Sequence, residues 1–253
     1  MQALGVATER QNFRAIQGRC DNIIAEIPGA KSPGQIAIFG AHYDTLDTTP
    51  GANDNASGCA ALIELARHVV ASGQPPERTL RFVFFACEEP PSFQGFMMGS
   101  VVYAQKCKRD GDDIRAMVSL ETLAYYTDEG GSQEYPPPLS LYFPSAGNFL
   151  AFVSDRDNKP LLDKAIGAFR KVASLPSEAA ALPAHIPGVG WSDHWSFWQQ
   201  GYPGIMVTDT APYRYPQYHQ PDDKPENLDF PRFTLAVEGL RAVVDTLAAA
   251  DSR

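Results

Sequence analysis

Short apolar runs, each long enough for one buried strand, recur along the chain. Residues 80–87 read LRFVFFAC and are nearly all apolar, which is typical of a central strand covered on both faces. Residues 35–39, 114–120 and 204–208 have a similar character, and residues 20–27 alternate enough for a further strand. The pattern therefore predicts at least five strands.

Apolar residues at helical spacing fill the intervals between these runs. Leu62, Leu65 and Val69 recur on one face of residues 55–72, and the end of the chain carries a longer amphipathic pattern. The predicted helices span residues 55–72, 95–106, 161–172, 191–200 and 230–250. Residues 139–143 are a possible additional strand.

Strands that alternate with helices predict an α/β fold with three αβα layers and a central mixed, mostly parallel sheet. A chain of 253 residues is expected to form one domain over residues 1–253. Residues 125–138 and 175–190, rich in Gly, Tyr, Pro or Ala, are expected to be loops that cap a site. Whether an N-terminal helix or leader precedes Met1 stays open, and so does the compartment.

Charge and hydropathy indicate which classes of partner to expect, and cysteine spacing bears on structural zinc sites and disulfides. The chain has 21 Lys and Arg against 30 Asp and Glu, and the basic residues form no run, so nucleic acid is not an expected partner. No apolar run reaches membrane-spanning length, so no membrane partner is expected either. The four cysteines lack CxxC spacing; Cys59 and Cys87 suit buried thiols, and a disulfide stays open.

Polar residues collect where the predicted strands end. Ligands of parallel sheets bind beyond the carboxyl ends of the strands, and those ends carry acids and one imidazole. The residues are His42, Asp44, Asp54, Glu88, Glu89 and Glu121. An imidazole and carboxylates on neighbouring loops are suitable ligands for a divalent metal. We therefore expect a metal site at this edge, with a plain charged loop as the alternative.

Three of these residues and a distant histidine refine this expectation. The carboxylate of Asp44 is expected to accept a hydrogen bond from the ring of His42 and to fix its tautomer. Glu88 and Glu89 point in different directions after their strand, so one could bind metal while the other faces substrate. His219 could supply a second imidazole, although a single histidine in a loop is usually just exposed.

In combination, the motifs HYD, GANDNASG, EE after an apolar strand, SLE, SDHWSFW and YH carry a family resemblance. From about residue 22 to the end, the chain resembles the two-zinc exopeptidases of the aminopeptidase Y and bacterial leucyl aminopeptidase family. The resemblance implies an aminopeptidase with two Zn²⁺ ions and a peptide or aminoacyl substrate, and it favours an exported protein. It implies these metal ligands: His42, Asp54 as the bridge, Glu89, Glu121 and His219.

The resemblance also implies catalytic roles. Glu88 would be the general base for a hydroxide bound by both zinc ions, Tyr218 would stabilise the oxyanion, and Asp44 would lie behind His42. A cis peptide bond is implied between Asp54 and the residue after it. Many members of the family have Asp where this chain has Glu121, so the filling of both metal sites is less secure here.

Substrate contacts are assigned to Asp193, Trp195 and Tyr125. The aromatic residues around SDHWSFW could line a specificity pocket, or they could belong to the core. Asp193 could orient the site or cap a helix. The adjacent residues Ser192, Asp193 and His194 cannot form a serine-hydrolase triad, and the chain has no GxSxG motif.

Two other functions stay open. The first is a glutaminyl cyclase, a zinc acyltransferase of the same fold, although Ser192 and Tyr218 differ from the residues usual in those enzymes. The second is a non-catalytic binding module on the peptidase fold, which would require lost ligands. Oligomeric state and the preferred N-terminal residue are not determined by the sequence.

Overall fold

The apolar runs form the centre of one eight-stranded sheet in a computed structural model, which describes residues 1–250. The strands are β1 (Thr8–Ala15), β2 (Gly18–Ile27), β3 (Ser32–His42), β4 (Arg78–Phe85), β5 (Asp113–Glu121), β6 (Leu150–Ser154), β7 (Ser177–Ala181) and β8 (Gly204–Thr208). Their order across the sheet is β1-β2-β4-β3-β5-β8-β6-β7.

The sheet is mixed, and its centre is parallel. Strands β4, β3, β5 and β8 run in one direction, so their carboxyl ends share one edge. Antiparallel pairing joins β1 to β2, β2 to β4 and β6 to β8, whereas β7 is parallel to β6. The predicted mixed, mostly parallel sheet is confirmed.

Helices cover both faces because alternate residues of the central strands point to opposite sides. The helices are α1 (Gly58–Ala71), α2 (Gly99–Asp110), α3 (Lys159–Arg170), α4 (His194–Trp198) and α5 (Phe230–Ala248). Phe39 and Phe82 face the core beneath α1, α3 and α5, whereas Ile38 and Val83 face the core beneath α2 and α4. The three αβα layers are therefore confirmed.

The structure differs from the sequence pattern at one expected strand. Residues 139–143 do not form a strand; Leu139–Leu141 is a short helical turn, and Leu141 is 79% exposed. Three consecutive prolines precede this turn, and proline has no N–H group to donate to a strand ladder. The expected strand was therefore wrong.

Three strands were not predicted. Strand β1 is a polar edge strand, β6 is only five residues long, and β7 (SEAAA) consists of small and polar residues with weak strand propensity. Strand β7 lies inside residues 175–190, so this segment is not simply a loop. Within residues 1–250, no helix has both the length and the apolar content needed to cross a bilayer.

The four cysteines are free thiols in the structure. Cys87 is buried as predicted, whereas Cys59 is half-buried and its thiol donates to the carbonyl oxygen of His42 at 3.2 Å. The Sγ atoms of Cys20 and Cys87 lie 2.9 Å apart. A disulfide between these two thiols would therefore need little movement of the chain.

Candidate metal centre

Parallel strands bring the predicted ligands to one edge of the sheet. His42 is the last residue of β3 and Glu121 the last of β5, while Glu88 and Glu89 follow the neighbouring strand β4. Asp54 lies in a wide helical turn over Ala52–Ser57 that leads into α1, and its peptide bond to Asn55 is cis, as the resemblance implies. The four carboxylates and one imidazole therefore converge.

The first donor group contains His42, Asp54 and Glu121. The Nε2 atom of His42 lies 3.2 Å from Oδ1 of Asp54 and 3.4 Å from Oε2 of Glu121. All three side chains are buried. The Oε2 atom of Glu121 also accepts a hydrogen bond of 2.6 Å from Ser192, which holds this longer carboxylate in place. Glutamate at this position therefore reaches the first group.

The second donor group contains Asp54, Glu89 and His219. The Nε2 atom of His219 lies 3.0 Å from Oδ2 of Asp54 and 3.4 Å from Oε2 of Glu89. Asp54 thus directs one oxygen to each group, which is the arrangement required of a carboxylate that bridges two cations.

The donor atoms fit divalent cations. Oε1 of Glu89 is buried without a hydrogen-bond partner within residues 1–250, and Nε2 of His219 faces carboxylate oxygens of Asp54 and Glu89. Nδ1 of His42 lies 3.1 Å from the carbonyl oxygen of Asp44 and donates to it, so Nε2, which faces the first group, is the ring nitrogen that would bind a cation. Imidazole nitrogen with carboxylate oxygen is a ligand set that zinc accepts.

Asp44 supports the centre differently from the sequence expectation. Its carboxylate lies 3.8 Å from Nδ1 of His42, too far for a hydrogen bond, and its backbone carbonyl accepts the proton instead. The carboxylate accepts the backbone N–H groups of Glu88 and Glu89 at 3.1 and 3.2 Å. Asp44 therefore fixes the backbone from which both glutamates project.

Burial and mutual repulsion change the pKa values of the carboxyl groups in the centre. Burial raises the pKa of Glu88 and of Glu121, and neighbouring carboxylates act in the same direction while His42 opposes them. Burial would also raise the pKa of Asp54, but hydrogen bonds with His219 and His42 lower it to about 2. Four carboxylates around two imidazoles are an arrangement that bound cations would stabilise.

Asp223, which no sequence motif indicates, holds the turn that carries Asp54. Its Oδ1 accepts the backbone N–H of Asn53 at 2.8 Å, and its Oδ2 accepts that of Asp54 at 3.1 Å. Tyr215 donates its hydroxyl to the same carboxylate at 3.0 Å. Asp223 is fully buried, so these bonds form in a medium of low dielectric constant.

We expect Asp223→Ala to lower metal affinity by about 10- to 100-fold, because the Asp54 turn would lose both of its anchoring hydrogen bonds. A competition titration with a chromogenic chelator measures this change. Asp222→Ala is the matched control, since Asp222 is exposed and pairs with Lys224. Equal affinities in both variants, with circular dichroism showing intact folds, would mean that the turn keeps its shape without Asp223.

The residues assigned to substrate lie at different distances from the centre. The ring of Tyr218 stacks on that of His219 with centroids 3.8 Å apart, and Tyr218 lines a cavity of about 100 Å³ beside Glu121. Tyr125 lines a neighbouring open cavity. Asp193 is fully buried at the start of α4, and Trp195 packs near Gly190. Substrate binding by Asp193, Trp195 and Tyr125 stays a prediction.

Most aromatic residues of the cavity come from outside the SDHWSFW motif. They include Tyr135, Phe143, Phe149 and Tyr213, together with Trp191, which directly precedes that motif. Phe197, inside the motif, belongs to the buried core beneath α2. Proximity in space, rather than in sequence, therefore determines which rings reach the cavity.

The protein thus has an α/β fold in which the strand ends bring together two groups of side chains that could hold metal ions. A model of peptidase family M28 matches residues 22–244. The chain therefore belongs to peptidase family M28 and is a hydrolase of the peptidase class. The family resemblance drawn from the motifs is confirmed.

Two curated relatives are similar to this chain over most of its length. It is 37% identical to uncharacterized protein YfbL of Escherichia coli strain K12 over 245 residues, which cover 93% of this chain and 74% of YfbL. It is 30% identical to a probable leucine aminopeptidase of Arthroderma otae over 222 residues, which cover 83% of this chain and 52% of that protein. The chain thus spans about half the length of that aminopeptidase.

Solved structures share the fold. The Legionella pneumophila LapA aminopeptidase matches with a TM-score of 0.73 at 21% identity, over 97% of this chain and 58% of that one. BSAP, a zinc aminopeptidase from Bacillus subtilis, matches with 0.66 at 23%, over 90% and 50%. Fimbriiglobus ruber glutaminyl cyclase matches with 0.67 at 20%, over 97% and 83%. At these identities the similarity establishes the fold alone.

Proposed function

We propose that this chain is an aminopeptidase that hydrolyses the N-terminal peptide bond of peptides with the help of two divalent cations, zinc being the first choice. The observation that supports this most directly is the pair of donor groups that share Asp54. Glu88 lies beside them, with Oε2 4.0 Å from Nε2 of His42. The aminopeptidase relatives support the same reaction.

In this proposal, His42, Asp54 and Glu121 would hold one cation, and Asp54, Glu89 and His219 would hold the other. When bound, the cations would polarise the scissile carbonyl and make a water molecule nucleophilic near neutral pH.

Two side chains then transfer the proton of the water and stabilise the negative charge that develops on the substrate oxygen. Glu88 accepts a proton from the attacking water and delivers it to the leaving amine, from a backbone that Asp44 holds. Tyr218 donates its hydroxyl to the developing oxyanion; burial raises its pKa, so the hydroxyl keeps its proton.

Cleavage at the N-terminus follows from the charge of the centre. A free α-amine is protonated in solution, and the buried carboxylates around Asp54 would attract it. An acylated amine has no such charge. Residues 125–138 and 175–190 both contribute to the cavity beside Glu121, so we propose that they are walls of the substrate site in a single catalytic domain. An exported location, which the resemblance favours, belongs to the same proposal.

The test compares free and blocked substrates on zinc-loaded protein. We expect leucyl-p-nitroanilide to be hydrolysed at least about 100-fold faster than its N-acetyl derivative, because the blocked amine leaves carboxylates unpaired. Peptides beginning with glutamine provide the second arm. Release of ammonia from them without peptide cleavage would indicate a glutaminyl cyclase. Tight metal binding with no reaction on either substrate would indicate a binding module.

A further inference from the structure

The cavity beside the candidate metal centre has a floor made by one face of the sheet. Strands β5, β8, β6 and β7 contribute to it, and the side chains that line it include Met206, Val153 and Ala180. Ala179, between two floor residues of β7, packs against the opposite core beneath α3. Residues 178 and 180 therefore face the cavity, as strand alternation requires.

One row of paired residues crosses this floor from the metal centre outward. Glu121 pairs with Thr208, Thr208 pairs with Ala151, and Ala151 pairs with Glu178. All four line the cavity. The row spans three strand spacings, so the backbones of its two glutamates are about 14 Å apart. The cavity thus has a carboxylate at each end of one straight row.

The carboxylate of Glu178 has no role in the fold. Within residues 1–250 it makes neither a hydrogen bond nor an ion pair, although the side chain is half-buried. Arg214, a cation close to the same aromatic wall, is held by the carbonyl oxygen of Phe149 at 2.8 Å and by Oε1 of Gln133 at 2.7 Å. Glu178 is therefore available to a ligand in the cavity.

The walls between the two carboxylates suit the stem of a long basic side chain. Tyr135 stacks with Phe143, and Trp191 stacks with Tyr213, and all four rings line the cavity. Aromatic faces attract ammonium and guanidinium groups, and apolar walls cover methylene groups. An apolar substrate side chain long enough to reach Glu178 would instead desolvate it without giving it a partner, whereas leucine is too short to reach it.

We propose that Glu178 binds the side-chain cation of substrates whose N-terminal residue is lysine or arginine, while the α-amine of that residue lies at Glu121. This rests on the proposed aminopeptidase function. An extended lysine or arginine spans about 7 to 9 Å from its α-nitrogen to its terminal nitrogen, and a hydrogen bond of about 2.8 Å at each end gives about 13 to 15 Å. The backbones of Glu121 and Glu178 are separated by a similar distance, and both side chains rise from the same face of the sheet.

The test measures kcat/KM for arginyl-, lysyl- and leucyl-p-nitroanilide with the zinc-loaded protein. We expect Glu178→Gln to lower kcat/KM for the two basic substrates by about 10- to 100-fold, mainly through KM, with little change for the leucyl substrate. Glu238→Gln is the matched control, since it removes the same charge from an exposed residue of α5 that lines neither cavity. Glu178→Lys should reverse the preference and disfavour the basic substrates further.

A binding measurement separates this proposal from the proposed function. Calorimetry with L-argininamide and L-leucinamide should show tighter binding of argininamide to the wild type and loss of that preference in Glu178→Gln. If no substrate is turned over but this preference is present, the aminopeptidase function fails and the role of Glu178 stands. If leucyl substrates are cleaved and Glu178→Gln leaves the arginine-to-leucine ratio unchanged, the role of Glu178 is wrong.

Discussion

Replacement of Glu88 by glutamine should lower kcat for aminoacyl-p-nitroanilides by roughly 10²- to 10⁴-fold while zinc remains bound. Glutamine keeps the shape of the side chain but cannot accept a proton from water at neutral pH. The backbone of residue 88 would be unchanged, because Asp44 holds it through its N–H group. The variant should therefore have a lower kcat and a nearly unchanged KM.

Metal analysis of the same variant distinguishes a base from a ligand. Glu88 also lies in a third possible donor group with His42 and Glu89, so its carboxylate could in principle bind a cation. Two zinc ions per chain in Glu88→Gln, together with lost turnover, would support the general base. Loss of one ion would make Glu88 a ligand, and retained turnover would assign the proton transfer to another group.

The fold could be predicted where a strand is buried on both faces. Strands β4 and β5 are buried over most of their length and each contains an apolar run, so their positions follow from the sequence. Strand β7 could not be found in this way, because Ser177–Ala181 has small side chains and lies at the edge of the sheet. Glu178 was missed for the same reason, since its place on the cavity floor depends on the pairing of β7 with β6.

The candidate ligands could be predicted because parallel strands end at one edge. His42 and Glu121 end adjacent strands, and this adjacency follows from an α/β topology. Asp223 could not be predicted from spacing, because the residues it anchors, Asn53 and Asp54, are about 170 positions away. The role of Asp44 could not be predicted either, because it depends on backbone geometry: the backbone carbonyl of Asp44, rather than its carboxylate, accepts the hydrogen bond from His42.

Removal of metal with EDTA should stop hydrolysis and lower the melting temperature by about 5 to 10 °C. A ligand present at 100 times its Kd stabilises the folded state by about 2.7 kcal/mol, and 1 kcal/mol shifts Tm by roughly 2 to 4 °C for a chain of this size. Differential scanning calorimetry and a parallel rate assay measure the two effects. Added zinc should restore both, and the zinc–EDTA complex should have no effect.

The sign of this shift follows from the charges around Asp54. Without cations, buried carboxylates face one another with only two imidazoles between them, which disfavours the folded state. Asp54 belongs to both donor groups, so Asp54→Asn should lose most of the EDTA response, whereas Glu88→Gln should keep it despite being inactive. A metal-free preparation with full activity and an unchanged Tm would contradict the assignment of both donor groups at once, because neither catalysis nor folding would then depend on what they bind.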